Sequence, residues 1–303
     1  MTNSLNKYVD EFAEKQKKKF PKITIITPSY NQDAYLEQTI LSILNQKYPN
    51  LEYIIIDGGS TDNSKEIIEK YATQLAYWVS EPDNGLYHAL QKGFSLATGD
   101  IMAWLNSDDM LHPFSLSIIA DVFTKYPQIE WLTGRASFFN EKNQCIGINN
   151  EIYLAVSKKR FLIREPLFIQ QESTFWRKCI WEKAGGYIST DYKFASDYEL
   201  WSRFIQLAPL YGIAALIGGF RLRTNNLSLI NIEEYLKEMV YIRSKMLIST
   251  SERLMIFILL ILNLFVFRYF DKIGLIRRFK RYCFNLPPDI FFNRHNQEFE
   301  IKE

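Results

Sequence analysis

Between residues 22 and 135, short and continuously apolar runs alternate with segments of helical periodicity, and this pattern restricts the folding of the chain more tightly than any other. Ile23-Thr-Ile-Ile-Thr27 precedes a helical pattern near 33–46 that sets Leu36, Ile40, Ile43 and Leu44 on one side. Leu51-Glu-Tyr-Ile-Ile-Ile-Asp57 precedes a second one built on Ile67, Ile68 and Tyr71. Further strands are expected at Tyr77–Ser80, Ile101–Asn106 and Ile129–Thr133, with a helix over Leu86–Leu96. Strands without polar alternation are buried on both faces, so the expectation is an α/β fold whose mostly parallel central sheet is flanked by helices. Beyond Ala136 the pattern turns irregular as far as Leu167. A helix is then expected at Ser196–Leu207 and a strand at Tyr211–Ile217.

In open α/β sheets ligands bind at the carboxyl ends of the strands, so the residues that end each apolar run carry the functional information. Ile101-Met-Ala-Trp-Leu-Asn-Ser-Asp-Asp-Met110 ends in two adjacent carboxylates, Asp108 and Asp109, and such a pair can hold a divalent cation against a phosphate. Asn106, Ser107 and Asp108 would serve equally as caps for the helix expected near Pro113. Thr27-Pro-Ser-Tyr-Asn31 closes the first strand. Asp57-Gly-Gly-Ser-Thr-Asp62 closes the second, where the glycines admit a ligand to the backbone and Asp57 can accept hydrogen bonds from a base or ribose. Each segment alone reads as a turn with a cap, but unrelated turns would less often put polar groups at three strand ends together. No glycine-rich dinucleotide fingerprint and no phosphate-binding loop with its Lys-Ser/Thr is present, which argues against a dehydrogenase or an ATPase.

An apolar content of 47% with 15% aromatic residues excludes a disordered chain, and a formal charge of +2 gives no case for nucleic-acid binding. Cys145, Cys179 and Cys283 are too few and too scattered for a disulfide framework or a cysteine zinc site, which points to a reducing cytosol. Residues 1–20 form a basic extension without the apolar core of a secretory signal. Residues 231–303 read as a helical tail in which the apolar run Leu254–Phe267 is followed by Arg268, Lys272, Arg277, Arg278, Lys280 and Arg281. Its fourteen residues, all apolar but Asn263, would span about 21 Å, short of the roughly 30 Å hydrocarbon core. A buried core or oligomer helix, a span extended by its neighbours and a segment lying in the membrane interface all remain open. The basic, aromatic flank favours a membrane surface contacted through 254–281.

The ordered series Thr27-Pro-Ser-Tyr-Asn31, Ile56-Asp-Gly-Gly-Ser-Thr-Asp62, Ser80-Glu-Pro-Asp-Asn-Gly-Leu-Tyr87, Thr98-Gly-Asp100, Asn106-Ser-Asp-Asp109, Gln171-Glu-Ser-Thr-Phe-Trp176, Gly185-Gly-Tyr187 and Ser196-Asp-Tyr-Glu-Leu-Trp201 resembles the family 2 glycosyltransferases. These are inverting enzymes with a GT-A fold, and the resemblance covers residues 22–228, so residues 21–230 are expected to form the catalytic domain. It implies a nucleoside pocket, most often for uridine, lined by Pro28, Tyr30 and Asp57. Asn106-Ser-Asp108 stands as a variant of the family's DxD element, with Asp108 holding Mn²⁺ or Mg²⁺ and Asp109 orienting the donor. Asp197 matches the catalytic base, with Glu199 as the nearby rival. Gln171, Glu172 and Trp176 fall on the acceptor side.

Two positions depart from the family pattern. His88 stands where the family often has a carboxylate in the donor region, and Arg223, in Phe220-Arg-Leu-Arg-Thr-Asn225, stands where a histidine often completes the metal site. An arginine does not bind a cation but can bind the donor diphosphate. The resemblance implies transfer of a hexosyl or N-acetylhexosaminyl group from a nucleotide-sugar, usually a UDP-sugar, to a saccharide hydroxyl. With the tail, it suggests a lipid-linked glycan acceptor at the cytoplasmic face of the plasma membrane, as in surface-polysaccharide assembly. A non-catalytic nucleotide-sugar-binding or scaffold subunit with the same fold is the alternative.

Overall fold

The computed structural model describes residues 20–149, 154–163, 167–224, 226, 230–262 and 274–302. The chain begins with β1 (Ile23–Ser29), α1 (Asp33–Leu44), β2 (Leu51–Asp57), α2 (Ser64–Tyr71), β3 (Tyr77–Ser80), α3 (Leu86–Leu96) and β4 (Ile101–Trp104). These four strands are parallel, with Ser29 opposite Asp57, Asp57 opposite Ser80 and Ile26 opposite Trp104, so their carboxyl ends form one edge. Every residue of β1 is buried, as its unbroken apolar run requires.

The second half comprises β5 (Met110–Leu111), α4 (Ser115–Lys125), β6 (Trp131–Phe139), β7 (Cys145–Ile148), α5 (Lys158–Ile163), β8 (Thr174–Arg177), α6 (Lys178–Lys183), α7 (Ser196–Leu207) and β9 (Tyr211–Arg221). Strand β8 runs antiparallel between β4 and β6, and β9 lies parallel to β6, giving the order β11-β10-β9-β6-β8-β4-β1-β2-β3. After α8 (Ile232–Lys245), α9 (Thr250–Leu262) and α10 (Gly274–Phe284), the hairpin β10 (Asp289–Asn293) and β11 (Glu298–Lys302) extends the sheet beyond β9.

The end of the chain therefore corrects the expectation of a wholly helical tail: Ile290 pairs with Ile213 and is fully buried, so this segment completes the sheet. No helix among the described residues is long and apolar enough to cross a membrane. The expected apolar helix is described as far as Leu262, and its residues 263–267 lie outside the described residues, as does the basic extension up to residue 19.

The Thr98-Gly-Asp100 motif lies at the opposite edge of the sheet from the ligand loops. There Thr98 and Thr24 donate to the Glu52 carboxylate, Lys22 pairs with it, and a Cβ on Gly99 would come within 2.4 Å of the Thr24 hydroxyl. Its role is to lock β4 to β1 and β2. The core is centred on stacked aromatics: Trp104 lies parallel to Trp201 at 5.7 Å, and Trp176 meets both edge-on at 5.6 Å.

Candidate active site

Hydrogen bonds running both ways tie the loops after β1 and β2 together. The Asn31 N–H donates to the Ser60 hydroxyl and the Thr61 N–H to the Asn31 side chain, each at 2.8 Å, while Asp33 N–H donates to Asp62. Asn31 sits at φ 51° and Gly59 at φ 80°, backbone states that suit Asn and Gly. Asp57 is fully buried and accepts from the N–H and hydroxyl of Ser60 and from the Ser80 hydroxyl, so it fixes the turn after β2 and ties it to the end of β3. Tyr30 stands 59% exposed at this edge, whereas Pro28 is buried within β1 opposite Ile56. The structure thus brings the expected nucleoside residues to one edge, with Tyr30 the ring free to face a ligand.

The second cluster follows β4. Asp109 is fully buried and accepts from the Arg221 N–H at 2.8 Å and from the Asn106 amide at 3.2 Å. Burial, reinforced by the charges of Asp108 and Glu172, pushes the Asp109 carboxyl well above the usual range. Asp108 is ion-paired with Arg223; burial raises its pKa and the Arg223 charge opposes the rise. Glu172 is buried in a single 3₁₀ turn, Gln171–Ser173, and its pKa is raised by burial and by the Asp108 and Asp197 charges. Glu172 therefore lies close enough to sense the β4-loop acids on one side and Asp197 on the other.

Oxygen atoms with no hydrogen-bond partner are present here: Asn106 Oδ1 and Glu172 Oε2 are both buried in this state. Like the Asp108 carboxylate, these are oxygen donors, the type that suits a hard divalent cation. Among the described residues no three His, Cys, Asp or Glu side chains gather into a complete cage, so such a cation would need further oxygens from a ligand.

Asp197 occupies the first turn of α7 and is half-buried, between the fully buried Ser196 and Tyr198. Burial pushes its pKa up to about 6, against the pull of the Tyr198 N–H and the Tyr235 hydroxyl, which lies 3.2 Å from one carboxylate oxygen. Glu238 accepts from the N–H groups of Lys193, Phe194 and Ala195 and so holds the turn leading into α7. Both partners lie on α8, so the expected boundary at residue 231 divides residues that the structure places together. Glu199, the rival base, is committed to Arg203 in an ion pair at 2.8 Å.

Two expectations on the acceptor side change. Trp176 is fully buried in the aromatic core and has no surface to offer an acceptor. Gln171 donates to the Trp104 carbonyl and accepts from Asn106 at 3.3 Å, which makes it a brace between β4 and the acid loop. His88 is exposed on α3. Sequence reasoning missed Arg221, whose side chain donates to the Asp108 carbonyl at 2.6 Å, to Asn140, Asn143 and Gln38, and stacks over Tyr35. The Phe-Arg pair preceding Arg223 was the available signal.

Residues 24–180, slightly more than half of the 303, match the model of glycosyl transferase family 2. An uncharacterized glycosyltransferase of Rickettsia typhi is 25% identical over 227 residues, covering 73% of this chain and 71% of the relative. One from Mycobacterium tuberculosis is 28% identical over 185 residues, 59% of this chain and 67% of its own. Among solved structures, S. aureus TarS 1–349 in complex with UDP-GlcNAc superposes with a TM-score of 0.60 at 16% identity, covering 85% of this chain and 77% of that one. The mannosyltransferase PcManGT from Pyrobaculum calidifontis, in complex with GDP-Man and Mn²⁺, gives 0.59 at 17% identity over 80% and 73%. These structures share the GT-A type fold, and the residues matched by the family model include the loops that carry Asp57, Asp108 and Asp109. The chain belongs to glycosyl transferase family 2.

Proposed function

We propose that the protein is an inverting glycosyltransferase that moves a sugar from a UDP-sugar to a hydroxyl of a saccharide acceptor. The observation that carries this reading is Asp197, a carboxylate oriented by Tyr235 whose charge reaches Glu172, which in turn senses the acids of the β4 loop. In a single displacement the acceptor oxygen attacks the anomeric carbon as the bond to the diphosphate breaks. The acceptor proton passes to Asp197, and the diphosphate leaves with the bonding electron pair. A pKa of about 6 keeps Asp197 ionised at neutral pH while leaving it basic enough to take a proton in the transition state. Asp108 would hold Mn²⁺ or Mg²⁺, which when bound neutralises charge on the departing diphosphate. Tyr30 and Asp57 would receive the nucleoside, and the UDP-GlcNAc bound by TarS supports uridine.

The exposed apolar side of α9 and the basic residues of α10 support an acceptor held at a membrane, a lipid-linked glycan at the cytoplasmic face. The test is transfer from a panel of UDP- and GDP-sugars to saccharide acceptors, with the anomeric configuration of the product read by NMR. Inverted product from the wild type and none from Asp197→Asn is the expected result. Nucleotide binding without turnover under every condition would leave only the non-catalytic donor-binding reading.

A further inference from the structure

The carboxylate assigned to the cation is already paired with a positive charge from the protein itself. Asp108 and Arg223 have side chains only 13% and 10% exposed, so neither charge is relieved by bulk water and each depends on the other. The two arginines at the end of β9 are held differently. Arg221 is fully buried, and all three of its guanidinium nitrogens are engaged, by the Asp108 carbonyl, by Asn140 and Asn143, and by Gln38. Arg223 stacks over Tyr35 at 5.0 Å and donates from Nη1 to Gln32 at 3.1 Å, yet its Nε is buried with no hydrogen-bond partner. Gln32 belongs to the loop that leads from β1 into α1, which places this guanidinium between the nucleoside loop and the acid loop.

We propose that Arg223 is the counter-charge of Asp108 in the free enzyme, and that donor binding transfers it to the diphosphate, so that the divalent cation binds with the nucleotide and not before it. This rests on the reading of Asp108 as the cation ligand. A diphosphate offers anionic oxygens with the spacing a guanidinium fork accepts, and it would satisfy the orphaned Nε along with Nη2. Once Arg223 turns to the diphosphate, Asp108 is free for the cation, whose second charge is balanced by the same phosphates. A cation arriving alone has to displace the guanidinium and remain beside it without an anion between them. The departure from histidine at this position therefore changes the order of binding while keeping the cation.

The experiment is a Mn²⁺ titration of the full chain, with free Mn²⁺ followed by its EPR signal, in the presence and absence of UDP. The wild type is expected to bind Mn²⁺ weakly alone and on the order of tenfold or more tighter with UDP, and by linkage Mn²⁺ tightens UDP by the same factor. Arg223→Gln should bind Mn²⁺ alone more tightly than the wild type and lose most of the gain from UDP, while Arg223→Lys, which keeps the charge, should stay close to the wild type. Arg223→Met, which also removes the charge and adds no cation ligand, supplies the same comparison should the glutamine variant fail to fold. Equal Mn²⁺ affinity of the wild type and Arg223→Gln without nucleotide overturns the exchange and leaves the assignment of Asp108 standing. Unchanged Mn²⁺ binding after adding Asp108→Asn to Arg223→Gln overturns that assignment, and the exchange with it.

Discussion

At the scale of single residues, the chemistry of Asp197 conflicts with its contribution to stability. Its pKa rises on folding from 3.8 to about 6, so the folded state binds the proton more tightly. Its contribution to stability is full below pH 3.8, falls as pH rises towards 6, and above that the half-buried carboxylate costs at most about 3 kcal/mol, taking roughly 1.4 kcal/mol per pKa unit. Asp197→Asn should lower kcat by about 100-fold or more, the usual share of a general base. It should also melt several degrees higher than the wild type at pH 7.5 and no higher at pH 4, which differential scanning calorimetry at the two pH values would check. The kcat profile of the wild type should rise through an acid limb near pH 6. Tyr235→Phe removes a hydrogen bond to the ionised form, so its limb should move to higher pH while KM for the donor changes little. A limb that stays in place would mean that the hydroxyl does not set the basicity of Asp197.

At the scale of elements, β9 carries the site. It continues past the expected end at Ile217 through Gly218 and Gly219 to Arg221; Gly218 lets the Glu172 backbone pass close by, and Gly219 leaves room for the Phe139 and Ser137 side chains. A Cβ on Gly218 would lie 2.1 Å from the Glu172 carbonyl oxygen, and that oxygen is backbone that cannot swing aside. Gly218→Ala should therefore push out the Gln171–Ser173 turn, costing about 1–3 kcal/mol from overpacking and lowering kcat/KM by roughly tenfold or more. Urea unfolding and steady-state kinetics measure the two effects separately. The same strand shows where the sequence stopped being legible. β2, α3 and α7 lie at their expected positions, because a continuous apolar run or an amphipathic stripe bounded by caps is a local signal. The Gly218-Gly219 pair, read locally, marks a break, and only the pairing of β9 with β6 and the closeness of Glu172 show why the strand needs it. The site was legible to a similar extent. Asp57, Asp108, Asp109 and Asp197 are marked by strand and helix ends, whereas burial decides that Trp176 packs in the core, and burial is a property of the whole fold. Tyr235 lies 38 positions from Asp197, a separation at which no sequence pattern links the two.

At the scale of the whole molecule, the described part of the tail has two sides. Leu259 of α9 packs with Ile163, Phe284 and Leu286, and Lys158 pairs with Glu252 at 2.8 Å, which fixes α9 and α10 against α5. On the other side of α9, Leu254 and Phe257 are 64% and 61% exposed, with Ile258 and Ile261 beside them, and on α10 Tyr282 is 82% exposed near Arg278. Apolar side chains this exposed, next to basic ones, suit the boundary between headgroups and acyl chains of an anionic bilayer better than water. The protein should therefore sediment with phosphatidylserine-containing vesicles, less so at high salt, and Arg278→Glu should weaken binding by roughly 30-fold, since it removes a charge worth about 1 kcal/mol and adds one of opposite sign. On the proposed membrane contact, Phe257→Glu should weaken binding at every salt concentration, because it removes an apolar contact that salt does not screen. Equal binding of Arg278→Glu and the wild type to anionic vesicles would remove the electrostatic part of this argument. A shift to dimers on size exclusion without any vesicle binding would show that the exposed face meets another copy of the chain.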